Sequence, residues 1–400
     1  MAKDTVTKYL VQYAESEVSL LASYPEKFYQ HVLIVPAYNE ATEFIDQYLN
    51  GQFASLLIIL VLNQPEQEVD DSLQQHLYQH LLKNSQQVWS EKHLSLHQCS
   101  DPSSDILCIK RYEQGLTLKN KQAVGQARKI AADCALQLIH AMRIKSSWIA
   151  STDADSRLTD NYFQQISRYQ DHAALTFHFE HEVNNGPVSQ ATQLYEQSLR
   201  YYQAGLEWAG SPYAFYSLGS CLAINAFDYA KVRGFPKRAG GEDFYLLNKL
   251  RKIGSIQHCD DIKVTIESRT SDRVPFGTGP AIQKILQLDD SHHYRYYHPL
   301  VFSELKTCLN GLNDLQPCRD FDSWRTALDQ RHYHWLCDQG LERIFQHMLS
   351  QALDKQTLEQ HIMAWFDGLM TLRFINFVRA EMHPDCYLTN ALKNASFYKT

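Results

Sequence analysis

The first two-thirds of the chain alternate short apolar runs with longer amphipathic stretches. Runs rich in Val, Ile and Leu at His31 to Val35, Leu56 to Leu62, Asp105 to Ile109, Ser147 to Ser151, Ala174 to Phe179, Ser220 to Ile224 and Asp261 to Ile266 predict strands. Several are apolar on both faces, as strands buried in a parallel sheet are. Helical patterns lie between them. The clearest runs from Asn120 to Met142, where Val124, Ala127, Ala131, Cys134, Leu138 and Met142 recur at spacings of three or four. This alternation predicts an α/β architecture with a mostly parallel central sheet flanked by helices. In such sheets ligands gather beyond the carboxyl ends of the strands, so the loops after Val35, Leu62, Ile109, Ser151 and Ile224 are the ones to inspect.

Beyond about residue 290 the strand signals fade, and helical patterns such as Arg331 to Leu353 and Thr357 to Met382 take over. The expected division is a helical segment over 1–29, an α/β catalytic domain over 30–289 and a helical extension over 290–400. Composition narrows the function. A formal net charge of -7 argues against a nucleic-acid partner. The longest apolar run, Leu56 to Leu62, is about one-third of a membrane span, and residues 1–16 carry no apolar signal core. Nine cysteines, with no Cys-x-x-Cys pair, fit reduced buried thiols. These features predict a cytoplasmic protein without a transmembrane segment. Peripheral membrane contact stays open.

Three loops carry candidate chemistry. Pro36-Ala37-Tyr38-Asn39-Glu40 follows the first strand; the proline is expected to end strand pairing and Asn39 to cap the next helix. The bland reading of this segment is a turn, while a carboxylate and backbone amides there would also suit a nucleoside. Asp153-Ala154-Asp155 closes the fourth strand, and two carboxylates one residue apart can share Mg²⁺ or Mn²⁺ with diphosphate oxygens. Chance alone supplies roughly one or two such triplets. A second, Asp320-Phe321-Asp322, follows Pro317 and reads as helix capping. The third loop, Arg238-Ala239-Gly240-Gly241-Glu242-Asp243, opens a helical pattern at Phe244 to Ile253. Acids there are favoured by the helix dipole, and alternatively one of them is a general base for an acceptor hydroxyl. Lys119, Lys121, Arg128, Arg269 and Arg273 are candidate cations for a departing diphosphate, the last two on a loop spanning 268–279. Core packing explains most of the aromatics from Tyr195 to Tyr216, with an acceptor platform for sugar faces or lipid chains as the other reading. His292, His293 and His298 lack ligand spacing and read as surface or packing residues.

Taken in order, these motifs resemble the family-2 glycosyltransferases and their relatives of the GT-A fold. They are Pro36 to Glu40, Gly125 to Arg128, Asp153 to Asp155, Gly219 to Ile224, Arg233 to Pro236, and Gly241-Glu242-Asp243 with Leu246 and Leu247. The similarity spans about residues 30 to 280. The resemblance implies a metal-dependent, inverting transfer of a sugar from a nucleotide-sugar donor to a carbohydrate or lipid-linked acceptor. Asp153 and Asp155 would hold the metal and Asp243 would be the base, supported by Glu242. Pro36, Tyr38, Glu40, Asn63, Arg128, Asp153, Arg269 and Arg273 would bind the donor. Asn63 stands where many members carry an acid that reads the nucleobase, which leaves uracil specificity open. The chain has no Gln-x-x-Arg-Trp motif of processive synthases. Two rival readings are a nucleotidyltransferase of similar topology and a non-catalytic nucleotide-sugar-binding protein.

Overall fold

The computed structural model describes residues 2–99, 104–271, 273, 277–313, 325–326, 328–351 and 355–398. Asp320, Asp322 and Cys318 lie outside them. The chain divides into two units, residues 1–193 with 217–283, and residues 194–216 with 284–400.

Among the described residues the first unit builds one ten-stranded sheet. Its strands are β1 His31–Ala37, β2 Leu56–Asn63, β3 Gln86–Glu91, β4 Leu94–Gln98, β5 Ser104–Arg111, β6 Trp148–Ser151, β7 Ser156–Leu158, β8 Ala174–His181, β9 Leu222–Asn225 and β10 Ile256–Ile266. They lie in the order β3-β4-β5-β2-β1-β6-β9-β8-β10-β7. The block β5-β2-β1-β6 is parallel, as is β8 with β10. β3, β4, β7 and β9 pair antiparallel. Parallel registers carry the larger share of paired residues, so the fold is a mixed α/β layer with a mostly parallel sheet, as expected. Every residue of β2 is buried, which is why its sequence is continuously apolar until Asn63. The helix Ala123–His140 packs on β1 and β2 and buries most of its length.

Several local expectations change. Pro36 does not end β1: it lies inside the strand, in register with Val61, and Ala37 pairs with Leu62. A parallel strand bonds its two neighbours through alternate residues, so one missing N–H does not end the pairing. Asn39 is no helix cap. It sits at φ 52°, and the following helix Glu43–Leu49 starts from Thr42. The predicted helix to Met142 stops at His140, and Met142 is exposed at φ 57°. Gly279 belongs to the helix Thr278–Leu286 rather than to a loop.

The second unit is helical, with a two-stranded ribbon pairing Arg295 and Tyr296 with Tyr387 and Cys386. The pattern predicted over 331–353 is two helices, Gln330–Asp338 and Leu341–Ser350, separated at Gly340 with φ 94°. The pattern over 357–382 likewise breaks, because Asp367 caps Gly368–Glu381 through bonds from Leu369 and Met370 N–H. Tyr201 is fully buried against Phe302 and donates to the Tyr297 carbonyl at 3.0 Å, so packing accounts for it. Tyr202, Tyr296 and Tyr297 are half-buried. His293 stacks on Tyr387, and His298 on His383.

In the first unit the helix Ala2–Gln12 is tied down by a buried polar knot. The carboxylate of Asp133, 0% exposed, accepts from Tyr9 Oη (2.6 Å), Tyr229 Oη (2.8 Å), Glu15 N (2.8 Å) and Lys129 Nζ (3.0 Å). A buried ammonium without its counter-charge is strongly unfavourable. Asp133→Ala is therefore expected to lower the unfolding free energy by about 3–5 kcal/mol in urea denaturation, because it strands Lys129. A loss within experimental error would mean that the knot contributes nothing.

Candidate active site

The expected site residues come from six segments of the first unit. Tyr38 and Glu40 follow β1, Asn63 ends β2, and Arg128 lies on the helix after β5. Asp153 and Asp155 follow β6, Arg269 and Arg273 follow β10, and Glu242 and Asp243 open the helix Glu242–Arg251. Strands β1, β2 and β6 thus deliver polar residues where their apolar runs stop, and β10 adds Arg269 and Arg273 beyond its end. A strand covered on both faces leaves only its ends for chemistry.

The turn after β6 is fixed by backbone bonds. Thr152 N donates to the Ile34 carbonyl at 3.1 Å, Ser156 N to Asp153 O at 3.2 Å, and Glu267 N to Asp155 O at 2.8 Å. Ala154 is buried. The turn is thereby held to β1 on one side and to the end of β10 on the other, with two carboxylates leaving it.

Each carboxylate meets a different arginine. Asp153 pairs with Arg128, whose guanidinium also pairs with the buried Glu242 and donates from Nε to Ser151 Oγ at 3.3 Å. Asp155 accepts from Arg269 Nε at 3.0 Å. Arg269 also forks onto Glu40, with Nη1 to Oε2 at 2.8 Å and Nη2 to Oε1 at 2.9 Å. This bidentate geometry is the strong form of the pair. Arg273 joins the same Glu40 and donates to the Tyr38 carbonyl at 2.9 Å. Ten of the eleven expected residues therefore fall into two groups or adjoin them. Asp153 and Arg128 with Glu242, and Asp243 next in sequence, form one. Asp155, Arg269, Glu40, Arg273 and Tyr38 form the other, and Pro36 is buried in β1 beside it.

Asn63 stands somewhat apart. It is buried, and its side-chain oxygen has no partner. Gln74 Nε2 links the two strand ends, donating to Asn39 Oδ1 at 3.0 Å and to the Asn63 carbonyl at 3.4 Å. Gln64 Oε1, Gln74 Oε1 and Thr152 Oγ1 are also buried and unpartnered. Sequence reasoning missed Gln64, Gln74 and Thr152. One signal was available: Gln74 shares the buried face of the helix Ser72–Asn84 with Leu77 and Leu81, a polar residue at a core-facing position. Lys119 and Lys121 are exposed and line a surface hollow with Glu66, Gln67, Asn120 and Gln122.

The electrostatics follow from this crowding. Burial pushes the Asp243 carboxyl up to about 7; neighbouring Glu242 and Asp153 add to the rise while Arg128 opposes it. Burial lifts Asp155 to about 6, with Asp153 and Glu40 reinforcing and Arg269 opposing. Burial works against the charge on Arg128 and Arg269, yet the surrounding carboxylates outweigh it and hold both firmly protonated. Among the described residues, no three His, Cys, Asp or Glu side chains converge as a protein-only metal site. No helix among them is long and apolar enough to cross a membrane.

No model of a known family matches the chain, and no curated protein matches it. Among solved structures the chain is similar to the crystal structure of GalNAc-T7 with UDP, GalNAc and Mn²⁺, with 11% identity and a TM-score of 0.35. The match covers 81% of this chain and 59% of that one, so the chain spans less than two-thirds of that protein's length.

Proposed function

We propose that this chain is a glycosyltransferase of GT-A-like fold that moves a sugar from a nucleoside-diphosphate donor to an acceptor hydroxyl with inversion. The observation that carries this reading is the Arg128 bridge. It joins the Asp153-Ala154-Asp155 turn to Glu242 and so brings a paired-carboxylate turn beside an acid, Asp243, that burial pushes up to about 7. A base poised near neutral pH takes a proton most effectively. In the proposed reaction the acceptor oxygen forms a bond to the anomeric carbon as the bond to the diphosphate oxygen breaks. The hydroxyl proton goes to Asp243, and the diphosphate leaves with the bonding electrons.

The residues fit a divalent cation on two grounds. Asp153 and Asp155 leave one turn with 36% and 20% of their side-chain surface exposed, so their oxygens can be reached. Five carboxylates (Glu40, Asp153, Asp155, Glu242, Asp243) face three guanidiniums (Arg128, Arg269, Arg273), which leaves two formal negative charges. Mg²⁺ or Mn²⁺ with one or two carboxylate ligands, and donor oxygens completing its shell, suits such a site. When bound, that cation would offset the charge that develops on the leaving diphosphate. Arg269 and Arg273 would grip the same diphosphate, and Pro36, Tyr38, Glu40 and Asn63 would line the nucleoside side. Eight free thiols among the described cysteines support a cytoplasmic setting.

Asp243→Asn is expected to keep donor binding and to lower kcat on the order of 10²- to 10⁴-fold, the usual share of a general base. The wild-type rate should fall as pH drops through about 7, because Asp243 accepts a proton only when ionised. A flat profile from pH 5 to 8, or full turnover in the Asn variant, removes Asp243 from the mechanism. Asp155→Ala should weaken calorimetric binding of a nucleoside diphosphate with Mn²⁺ by about tenfold or more, equal to about 1.4 kcal/mol. Equal affinity in that variant would exclude Asp155 as a ligand. Incubation with a panel of nucleotide sugars tests the reaction itself: release of free sugar and nucleoside diphosphate supports transfer, whereas release of sugar 1-phosphate supports attack at phosphorus, as in nucleotidyl transfer.

A further inference from the structure

Arg128 occupies an unusual position for a donor contact. The residue is 3% exposed, and each of its three guanidinium nitrogens is engaged, by Ser151, Asp153 and Glu242. The Ser151 hydroxyl is itself fixed, donating to the Gly219 carbonyl at 2.8 Å. Gly219 lies flat against the guanidinium, and a Cβ added there would fall 2.3 Å from the Arg128 Cζ. The same helix meets the loop that leads to Glu242. One turn before Arg128, Gly125 N donates to the Arg238 carbonyl at 2.9 Å, and a Cβ at Gly125 would lie 2.6 Å from backbone atoms of Pro236 and Arg238. The helix therefore holds this loop at two points, by backbone at Gly125 and by charge at Arg128.

We propose that Arg128 is a positioning residue, which sets the placement of the Glu242–Asp243 loop relative to the Asp153–Asp155 turn and does not itself contact the donor. The proposal rests on the functional reading above. Its physical basis is that a buried fork between two carboxylates fixes both in distance and angle. A displacement of about 1 Å between reacting groups is enough to cost about 100-fold in rate. The surroundings fit this geometry, since the guanidinium occupies the space that a side chain at Gly219 would take.

The decisive variant is Gly219→Ala, which keeps the Arg128 charge and both acids but adds a methyl group where the guanidinium lies. Arg128→Lys complements it, retaining a charge that cannot fork between two carboxylates. In both, kcat for donor turnover should fall about 100-fold, while the donor KM stays within about threefold, the signature of lost transition-state geometry. The amides of residues 238–244 should exchange hydrogen faster than in wild type. If Gly219→Ala does not fold, Ser151→Ala carries the same readouts, because it removes the Nε acceptor and adds no bulk. Wild-type kcat in these variants overturns the proposal. So does a raised KM with kcat intact, which would make Arg128 a donor contact, or a lowered kcat with unchanged exchange at 238–244. A chain that turns over no nucleotide sugar overturns the functional reading alone, and the exchange measurement then decides for or against Arg128.

Discussion

Arginine keeps its charge even when, like Arg128, it has only 3% of its surface exposed, so burial at that depth is strongly unfavourable unless carboxylates stand within hydrogen-bond reach. Arg128 meets this requirement with two acids from segments far apart in sequence, Asp153 and Glu242. Moving either acid would leave buried charge unbalanced, so the turn after β6 and the loop before Glu242 are held to one geometry. Asp153 keeps part of its surface open, while Glu242 is enclosed. One arginine therefore serves an accessible carboxylate and a structural one at once.

The sheet supplies the other half of the constraint. β1 is buried along nearly all its length and β2 and β6 along all of theirs, so polar groups enter only where the runs end. Two parallel neighbours of β1 also place those ends on one side: β1 pairs with β2 in register from His31 to Ala37, and with β6 from Val32 to Ile34. Tyr38, Asn63 and Asp153 thus share one edge of the sheet because hydrophobic burial puts their strands in parallel, without any attraction between them. Arg269 then closes the arrangement, reaching Glu40 and Asp155 across that edge.

Much of this was legible in the sequence, for a physical reason. All seven predicted strands are present: β1, β2 and β6 because burial on both faces leaves an apolar run, and β10 through the alternation of Ile262, Val264 and Ile266 with polar residues. The three that were missed lack that signature. β3 is an edge strand of mostly exposed residues, and its hairpin to β4 turns at Lys92 with φ 52°, without the glycine that marks such turns. β4 is buried but mixes Ser, His and Gln with two leucines; its His97 is satisfied by Ser95 and Ser85 rather than by water. β7 is three residues long. Pro36 misled because its missing N–H lies on the β6 side, where pairing already ends at Ile34, while pairing with β2 runs on to Ala37. The pairing of charges was not legible at all. Spacing shows that Asp153, Glu242 and Arg128 exist, but only the folded chain shows that one arginine binds the two acids while Asp155 goes to another.

The charge balance links these points to the proposed chemistry. The constellation holds five acids and three arginines, and it is crowded enough that burial and neighbouring carboxylates lift both Asp155 and Asp243. An excess of negative charge at the mouth of a sheet is unfavourable to the folded chain by itself. It becomes useful when a ligand brings positive charge to the open carboxylates, because Asp153 is one of the charges that raise the Asp243 carboxyl. In the proposed reading, cation binding and readiness of the base are therefore not independent properties. Both draw on the same surplus of charge, which Arg128 only partly offsets.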